Sequence, residues 1–285
     1  MEGVLWGLGC ALSWSIANLS IGKAARRFGE VGALAQSQIL GALAMIPAAL
    51  WLEGLPHAPT QRGVLALLAA SFAALIAYVG LFTALGKGRI SIVIPVMSAW
   101  AAIGVLTDAL LFEKHVEPLK WVGVGLVVAG NATLAASQRG PDAGQKLAGA
   151  GWALVGALGF GLLAPAVDQA GAEFGRLWAL PGVWLLELFW GAILWRVFLK
   201  RAWPPRATTV GEAWLAGRAG VIEALGFVFM SLGIGYTSVA QVVPAASLST
   251  AFSVTWGLLL LRERPGIVAV LGALLASVGV VITAL

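Results

Sequence analysis

Residues 86–98 read GKGRISIVIPVMS, and residues 235–247 read GYTSVAQVVPAAS. Both stretches begin with a glycine, continue through an apolar run that carries one proline, and end on a serine. The match extends without a gap over Tyr78–Asn131 and Phe227–Val280. A repeat of this length sets the architecture before any local motif is interpreted. The chain is therefore expected to consist of two similar halves.

The composition is typical of a membrane protein. Apolar residues make up 60% of the 285 residues and charged residues only 11%, whereas soluble domains carry about 25% charged residues. One cysteine, Cys10, and two histidines give no basis for a disulfide or a metal centre, so we expect no cofactor. The basic residues are scattered along the chain, which argues against a nucleic-acid partner. The expected partners are the lipid bilayer and a small-molecule substrate, and nothing in the sequence requires more than a monomer.

Ten apolar runs approach the length of about 20 residues that spans a bilayer. A polar linker, 138–146, separates a first repeat of five spans, 1–137, from a second, 147–285. Because each repeat has an odd number of spans, the second copy enters the membrane from the opposite side. We therefore predict an all-α integral membrane protein with ten transmembrane helices in two inverted five-helix repeats. The predicted spans are 3–22, 31–52, 64–86, 90–112, 119–137, 147–167, 177–199, 214–234, 238–261 and 266–285.

The charges predict an orientation. Of the 18 Lys and Arg residues, only Arg62, Lys114, Lys120 and Arg176 fall in the even-numbered connections between spans. Basic residues accumulate in cytoplasmic connections. This bias predicts a multi-pass protein of the inner (plasma) membrane with both termini on the non-cytoplasmic side.

The paired V-x-P-x-x-S motifs at 93–98 and 242–247, the short Gly-containing turns and the two inverted halves resemble the drug/metabolite transporter superfamily. Within it the chain is similar to the EamA-type exporters, most of all to the bacterial exporters of aromatic and other hydrophobic amino acids. The resemblance implies an outward path through a central cavity lined by the first, third, fourth, sixth, eighth and ninth helices. Many members of this superfamily carry their terminal charges on the cytoplasmic side, which is the opposite of the sidedness that the charges predict here.

Asp108 lies near the end of its predicted span, where a solvated carboxylate is expected, whereas Glu187 and Glu223 stand deeper within theirs. A carboxylate at the centre of a span costs about 2.5–3.5 kcal/mol on insertion scales and usually faces a cavity or a partner. Glu187 and Glu223 are therefore each a candidate ligand for a substrate ammonium group or a candidate proton-coupling site. The alternative is a protonated acid in a hydrogen bond between helices. Gln38 aligns with Glu187 at the offset of the main repeat, which indicates matched polar positions, although packing alone would also explain it.

Aromatic and small polar residues form a second candidate set. Trp14 and Phe160 occupy equivalent positions in the two halves, so they are expected to face each other across the cavity. Two such rings would suit an aromatic side chain of the substrate. The set also includes Asn18, Tyr78, Trp100 and Phe227. Small polar residues in membrane helices also serve as ordinary contacts between helices.

The two prolines, Pro95 and Pro244, remove backbone hydrogen bonds from their helices. Interrupted helices near mid-membrane are where many transporters bind their substrates. We therefore add both prolines, with Ser98 and Ser247, to the candidate substrate site. The competing interpretation is a kink that only shapes packing.

The function that these features favour is a secondary exporter of small amphipathic metabolites, above all aromatic or hydrophobic amino acids, working by alternating access. Within the same fold, an exporter of lipophilic cations is the alternative. No Lys or Arg lies near the middle of a predicted span, which weighs against anionic substrates. An intramembrane enzyme is disfavoured, since both histidines lie in connections and neither H-E-x-x-H nor G-x-S-x-G occurs. No catalytic residues are predicted.

Overall fold

The computed structural model describes residues 2–58, 60–111, 117–137, 143–198, 200, 209–236, 242 and 245–284. Within these ranges the fold is all-helical, as predicted, and contains no strand. A short π-helix, Leu194–Phe198, continues the α-helix Arg176–Ile193. The helices are α1 (Glu2–Phe28), α2 (Glu30–Glu53), α3 (Gln61–Lys87), α4 (Ile90–Met97), α5 (Ala99–Leu111), α6 (Pro118–Ser137), α7 (Ala143–Phe174), α8 (Arg176–Ile193), α9 (Val210–Tyr236), α10 (Ser249–Leu259) and α11 (Ile267–Ala284).

Six of these helices are long and apolar enough to cross a membrane, among the residues described: α1, α2, α3, α7 from Gly149, α8 with its π-helical extension, and α9. Two shorter apolar stretches, Ile90–Gly104 and Ile267–Thr283, correspond to the fourth and tenth predicted spans. Helix α7 begins at Ala143, inside the predicted linker 138–146.

The fourth span is broken into α4 and α5 at Ser98, three residues after Pro95. Proline has no N–H, so position 95 cannot donate a hydrogen bond to the Ser91 carbonyl. The Ser98 hydroxyl instead donates to the Pro95 carbonyl at 2.5 Å. In the ninth span the backbone turns at the equivalent residue, Ser247, before α10 begins. The sequence repeat thus extends to a repeated break in the helix.

The main helix–helix contacts occur as equivalent pairs in the two repeats. Helix α3 packs along α7, and the equivalent pair, α9 and α1, packs in the same way. Small residues allow both approaches: a side chain at Gly159 would collide with Ala77, and one at Gly226 would collide with Trp14 and press on Ser13. Gly159 corresponds to Ser13, and Ala77 to Gly226. The same contact is therefore built twice.

Helices α6 and α11 occupy equivalent positions in the two repeats, and they pack against each other. A side chain at Gly130 would collide with the backbone of Ala276, and one at the equivalent Gly279 would collide with the backbone of Val127. These glycines allow the close helix packing that small residues give membrane proteins.

Two equivalent glycines, Gly29 and Gly175, begin α2 and α8 with φ of 77° and 106°. Glycine adopts this backbone region without steric cost. Counted from these glycines, Gln38 corresponds to Trp184, three residues from its predicted match with Glu187. The difference arises because α2 and α8 start 146 positions apart, whereas α3 and α9 start 149 positions apart. The second repeat therefore gains its three extra residues between the start of α8 and the start of α9.

Candidate functional site

A cavity of about 470 Å³ lies between the two repeats. Its walls come from α1, α3, α4, α5, α7, α8 and α9, with the segment at Ser247, the start of α10 and Val280 of α11. The resemblance implied most of these helices, and α8 and α11, the seventh and tenth spans, are additions to them. Nine of the predicted site residues line the cavity: Trp14, Asn18, Tyr78, Ser98, Trp100, Phe160, Glu223, Phe227 and Ser247.

Four predicted site residues are not among those that line it. Pro95 is buried one turn from the lining residue Ser98. Gln38 and Glu187 are buried behind the cavity wall, between α2 and α8. Pro244 lies outside the residues that the structure describes.

The aromatic wall of the cavity consists of two edge-to-face ring pairs. The two pairs occupy equivalent positions in the two repeats. The rings of Trp14 and Phe227 are 5.2 Å apart at an interplanar angle of 66°. The rings of Phe160 and Tyr78 are 5.1 Å apart at 71°. Trp14 corresponds to Phe160, and Phe227 to Tyr78, so both pairs are the same contact between the repeats. Trp14 and Phe160 therefore both line the cavity, but each ring packs against a residue of the other repeat rather than against its own counterpart.

A chain of hydrogen bonds leads from this wall to the carboxyl group of Glu223. Trp184 Nε1 lies 3.2 Å from the Tyr78 hydroxyl and donates to it. The Tyr78 hydroxyl lies 2.7 Å from Glu223 Oε1. The second carboxylate oxygen, Oε2, accepts no hydrogen bond from any described residue. Glu223 therefore presents an unused acceptor within a largely aromatic cavity.

The other intramembrane carboxyl group has a separate environment. Gln38 Nε2 donates to Glu187 Oε2 at 2.8 Å, and both side chains are 1% exposed. Glu187 Oε1 is buried and has no partner in the described part of the chain. Glu187 thus forms the hydrogen bond between helices that was its alternative interpretation, whereas Glu223 lines the cavity.

Two polar side chains of the first helix form hydrogen bonds with α10, and one of them, Asn18, lines the cavity. Asn18 Nδ2 donates to Ser253 Oγ of α10 at 3.2 Å, which leaves its second N–H available. Trp256 Nε1 donates to Ser15 Oγ at 2.9 Å, a second bond between the same two helices. These two bonds tie α1 to the helix that follows the Ser247 break.

The cavity reaches one end of the bundle, where Asp168, Gly171 and Arg176 line it near the turn from α7 to α8. We call this the open end. At the opposite end, where α1 and α3 finish, Arg26 Nη1 donates to the Leu85 carbonyl at 2.9 Å. We call this the closed end.

A second hydrogen-bonded contact at the closed end involves the start of α4. The Glu263 carboxylate accepts from the backbone N–H groups of Ile90 and Ser91 at 3.0 and 2.9 Å. These are the free donors of a helix N-terminus, where a carboxylate is favourable. The connection after α10 is thereby bonded to the start of α4.

The model of the EamA-like transporter family matches residues 1–135 and 147–285. The chain belongs to the EamA-like transporter family. A solved crystal structure has the same fold, with a TM-score of 0.59 and 17% sequence identity over 98% of this chain and 95% of the other. No curated protein matches the chain.

Family membership confirms the predicted superfamily and the fold of two inverted helical repeats. This EamA-like transporter is accordingly a multi-pass membrane protein that carries a small molecule. Within the described ranges, no group of three or more His, Cys, Asp or Glu side chains could hold a metal ion.

Sequence reasoning about this EamA-like transporter missed Trp184 and Arg176. Trp184 sits three residues before Glu187 in an apolar run, and such a tryptophan gives no sign of whether it faces lipid or a neighbouring helix. Arg176 was counted only as one of the few basic residues of the even-numbered connections. Nothing in the sequence placed the seventh span at the cavity, so the position of Arg176 at the start of that span gave no signal of its own.

Proposed function

We propose that this EamA-like transporter exports small amphipathic amines, with aromatic and hydrophobic amino acids as its substrates, from the cytoplasm across the inner membrane. The observation that carries the proposal is the unused Oε2 acceptor of Glu223 in a cavity walled by two aromatic pairs. This oxygen would accept a hydrogen bond from the substrate's ammonium group.

The cavity suits such a ligand in size and chemistry. Its volume of about 470 Å³ falls within the range of about 300–1,000 Å³ that is usual for small-molecule sites. Aromatic faces attract a nearby cation by about 0.5–2 kcal/mol. They also offer edge and face contacts to an aromatic side chain. An ammonium group at Glu223 would therefore be stabilised together with the ring attached to it.

A substrate carboxylate would need donors, and the deep part of the cavity offers a neutral one, the second N–H of Asn18. Among the described lining residues the one cationic side chain is Arg176, at the open end. This distribution favours zwitterions and cations over anions such as phosphate esters.

Transport would follow alternating access between inverted repeats. In that scheme the closed end opens when the Arg26–Leu85 and Glu263–Ile90 bonds break, as the spans around the Ser98 and Ser247 breaks rock. From the charge bias we infer that this closed end lies in the cytoplasm and that both termini lie outside. Protonation of Glu223 or Glu187 would couple export to the proton gradient, and a facilitator would use the substrate gradient alone.

Export of lipophilic cations is the second candidate function. The observation that favours it is that Glu223 is the one carboxyl group among the described residues of the deep cavity, with no cation beside it. An aromatic site with a single carboxylate would bind an organic cation without any need for a carboxylate-binding partner.

The experiment is uptake of labelled tryptophan, phenylalanine, threonine and a lipophilic cation into proteoliposomes, with and without an imposed pH gradient. Flux of the aromatic amino acids that is saturable and absent from protein-free liposomes supports the proposal. Gradient-driven flux identifies proton coupling, and gradient-independent flux identifies a facilitator. Flux of the lipophilic cation alone would replace the amino-acid proposal with the second candidate.

A further inference from the structure

The geometry points to Trp184 as a positioning residue of the substrate site: its indole N–H fixes the direction of the Tyr78–Glu223 hydrogen bond and so keeps Glu223 an acceptor for the substrate's ammonium group. This inference rests on the proposed function and specifies how its ligand is held. Trp184 acts through Tyr78, because its indole N–H donates to the Tyr78 hydroxyl.

The donors and acceptors favour one arrangement, in which Trp184 donates to Tyr78 and Tyr78 donates to Glu223. An indole N–H can donate but not accept, whereas a phenol can do both. With Trp184 Nε1 at 3.2 Å from the Tyr78 oxygen, that oxygen accepts and its own hydrogen is free for Glu223. The Tyr78–Glu223 distance of 2.7 Å is that of a well-formed O–H···O bond. Glu223 Oε1 therefore receives a hydrogen, and Oε2 remains for the substrate.

Removing the indole N–H would free a lone pair on the Tyr78 oxygen. The Tyr78–Glu223 bond would then be able to run in either direction, since a protonated Glu223 could donate to the tyrosine. In that reversed arrangement the carboxyl group would be neutral and a poorer ligand for an ammonium group, because a hydrogen bond to an ionised acceptor is roughly twice as strong as one between neutral groups.

Trp184 is held tightly enough to act in this way. The side chain is 1% exposed and is the largest fully buried one among the described residues. On one side its ring meets α2 at Gly41, where an added side chain would lie 3.2 Å from Trp184 Cζ3. On another side it contacts the Phe227 ring at 6.1 Å and 63°. These contacts to α2 and α9, with the bond to α3, fix the indole in one orientation.

The repeats differ at this position in an informative way. Gln38 stands nine residues after Gly29, as Trp184 stands nine after Gly175. Both side chains carry an N–H donor, and each donates to a partner in the other repeat: Gln38 to Glu187, and Trp184 to Tyr78. The two donors thus serve the two intramembrane carboxyl groups, one directly and one through the tyrosine.

The test compares Trp184→Phe with Tyr78→Phe, since each keeps an aromatic ring and loses one donor. The matched controls are Trp51→Phe, at a side chain that is 86% exposed, and Tyr236→Phe, at one that is 70% exposed. Binding to purified protein is measured with phenylalanine and with phenethylamine, which keeps the ammonium group and lacks the carboxylate.

We expect W184F and Y78F each to weaken binding of both ligands about tenfold, the usual scale for one hydrogen bond to a charged group. The double variant W184F/Y78F should bind no more weakly than Y78F alone, because residues that act in series are not additive. In a Glu223→Gln background, W184F should have no further effect. The inference would be overturned if W184F bound both ligands like the wild type. It would also be overturned if the losses of binding free energy in W184F and Y78F were additive in the double variant.

A second readout needs no substrate. Infrared difference spectra between each variant and the wild type report the carboxyl band that disappears in E223Q. W184F should perturb this band in the same sense as Y78F, and W51F should leave it unchanged. An unperturbed Glu223 band in W184F would overturn the inference even if neither ligand binds. Failure of the wild type to bind either ligand, with the band perturbed as expected, would instead count against the proposed substrates.

Discussion

Gln38 and Glu187 join the two repeats through a hydrogen bond of 2.8 Å between Gln38 Nε2 and Glu187 Oε2. Counted from the glycines that begin their helices, Gln38 corresponds to Trp184 and Glu187 to Gly41. The contact of Trp184 with Gly41 is therefore the same contact seen from the other repeat. One copy is a polar bond, and the other is a ring packed against a glycine. Of these two equivalent contacts, the Gln38–Glu187 bond lies behind the cavity wall, whereas Trp184 lines the cavity.

We expect Gln38→Ala to destabilise the protein. The variant leaves both oxygens of the buried Glu187 carboxyl group without a partner among the described residues, and an unsatisfied buried polar group costs about 1–3 kcal/mol. Thermal unfolding in detergent measures the loss. The matched control is Gln36→Ala, since Gln36 Nε2 bonds to the Gly32 carbonyl of its own helix and to no other described residue. Equal unfolding temperatures for the two variants would show that the Gln38–Glu187 bond contributes nothing.

Pro95→Ala should slow transport about tenfold while substrate binding changes little. Alanine restores an N–H donor opposite the Ser91 carbonyl and relieves the steric clash of the proline ring, which favours a continuous helix across the Ser98 break. Initial uptake rates in proteoliposomes, compared with equilibrium binding, separate the two effects. Pro47→Ala serves as the control because Pro47 also lies inside a helix, α2, but does not line the cavity. Identical rates for P95A, P47A and the wild type would remove the helix break from the mechanism.

Arg176→Gln should raise uptake of a lipophilic cation relative to phenylalanine by about fivefold. Two unit charges about 4 Å apart repel by about 1 kcal/mol in water-like surroundings, and the variant removes this repulsion at the open end. Arg176 lies eight residues before Trp184, about 12 Å along the helix, so one amino acid cannot touch both it and the Glu223 site. Arg62→Gln is the control, since Arg62 lies in an even-numbered connection but does not line this cavity. A ratio that R176Q and R62Q change equally would argue for a general surface-charge effect.

The charge bias makes a separate prediction about sidedness. In a Cys10→Ser background, a cysteine at the exposed position Arg62 should react with a membrane-impermeant maleimide added outside spheroplasts. A cysteine at the exposed position Lys23, at the other end of the bundle, should react only after the cells are broken. The reverse pattern would place the termini in the cytoplasm, as the family resemblance implies, and would reverse the assignment of the closed end.

The fold was predictable because the repeat is strong where it matters for topology. The stretches around Pro95 and Pro244 match without a gap. A second, weaker match at the start of each half, shifted by three residues, predicted the related positions of Trp14 and Phe160. The register of α2 against α8 was not predictable from the ungapped match, because the difference of three residues falls between the start of α8 and the start of α9. Only the two helix-starting glycines reveal it, and they belong to the weaker of the two matches.

The candidate site was predictable in its residue types and less so in its geometry. Glu187 and Glu223 look alike in sequence, since each is a lone acid in an apolar run. The rotation of each helix decides that Glu223 lines the cavity and that Glu187 bonds to Gln38 behind its wall. Trp184 gave no signal, because a tryptophan in an apolar helix reads the same whether it faces lipid, a neighbouring helix or a hydrogen-bond acceptor.

Uptake of labelled phenylalanine by Glu223→Gln proteoliposomes tests the central claim most directly, with Glu2→Gln, an exposed acid at the start of α1, as the control. The amide keeps the shape of the carboxyl group and its bond to Tyr78 but cannot pair with an ammonium group. The account predicts that E223Q loses at least about tenfold in apparent affinity for phenylalanine and phenethylamine, while E2Q transports like the wild type. Wild-type affinity for both ligands in E223Q would contradict the assignment of Glu223 as the ammonium ligand.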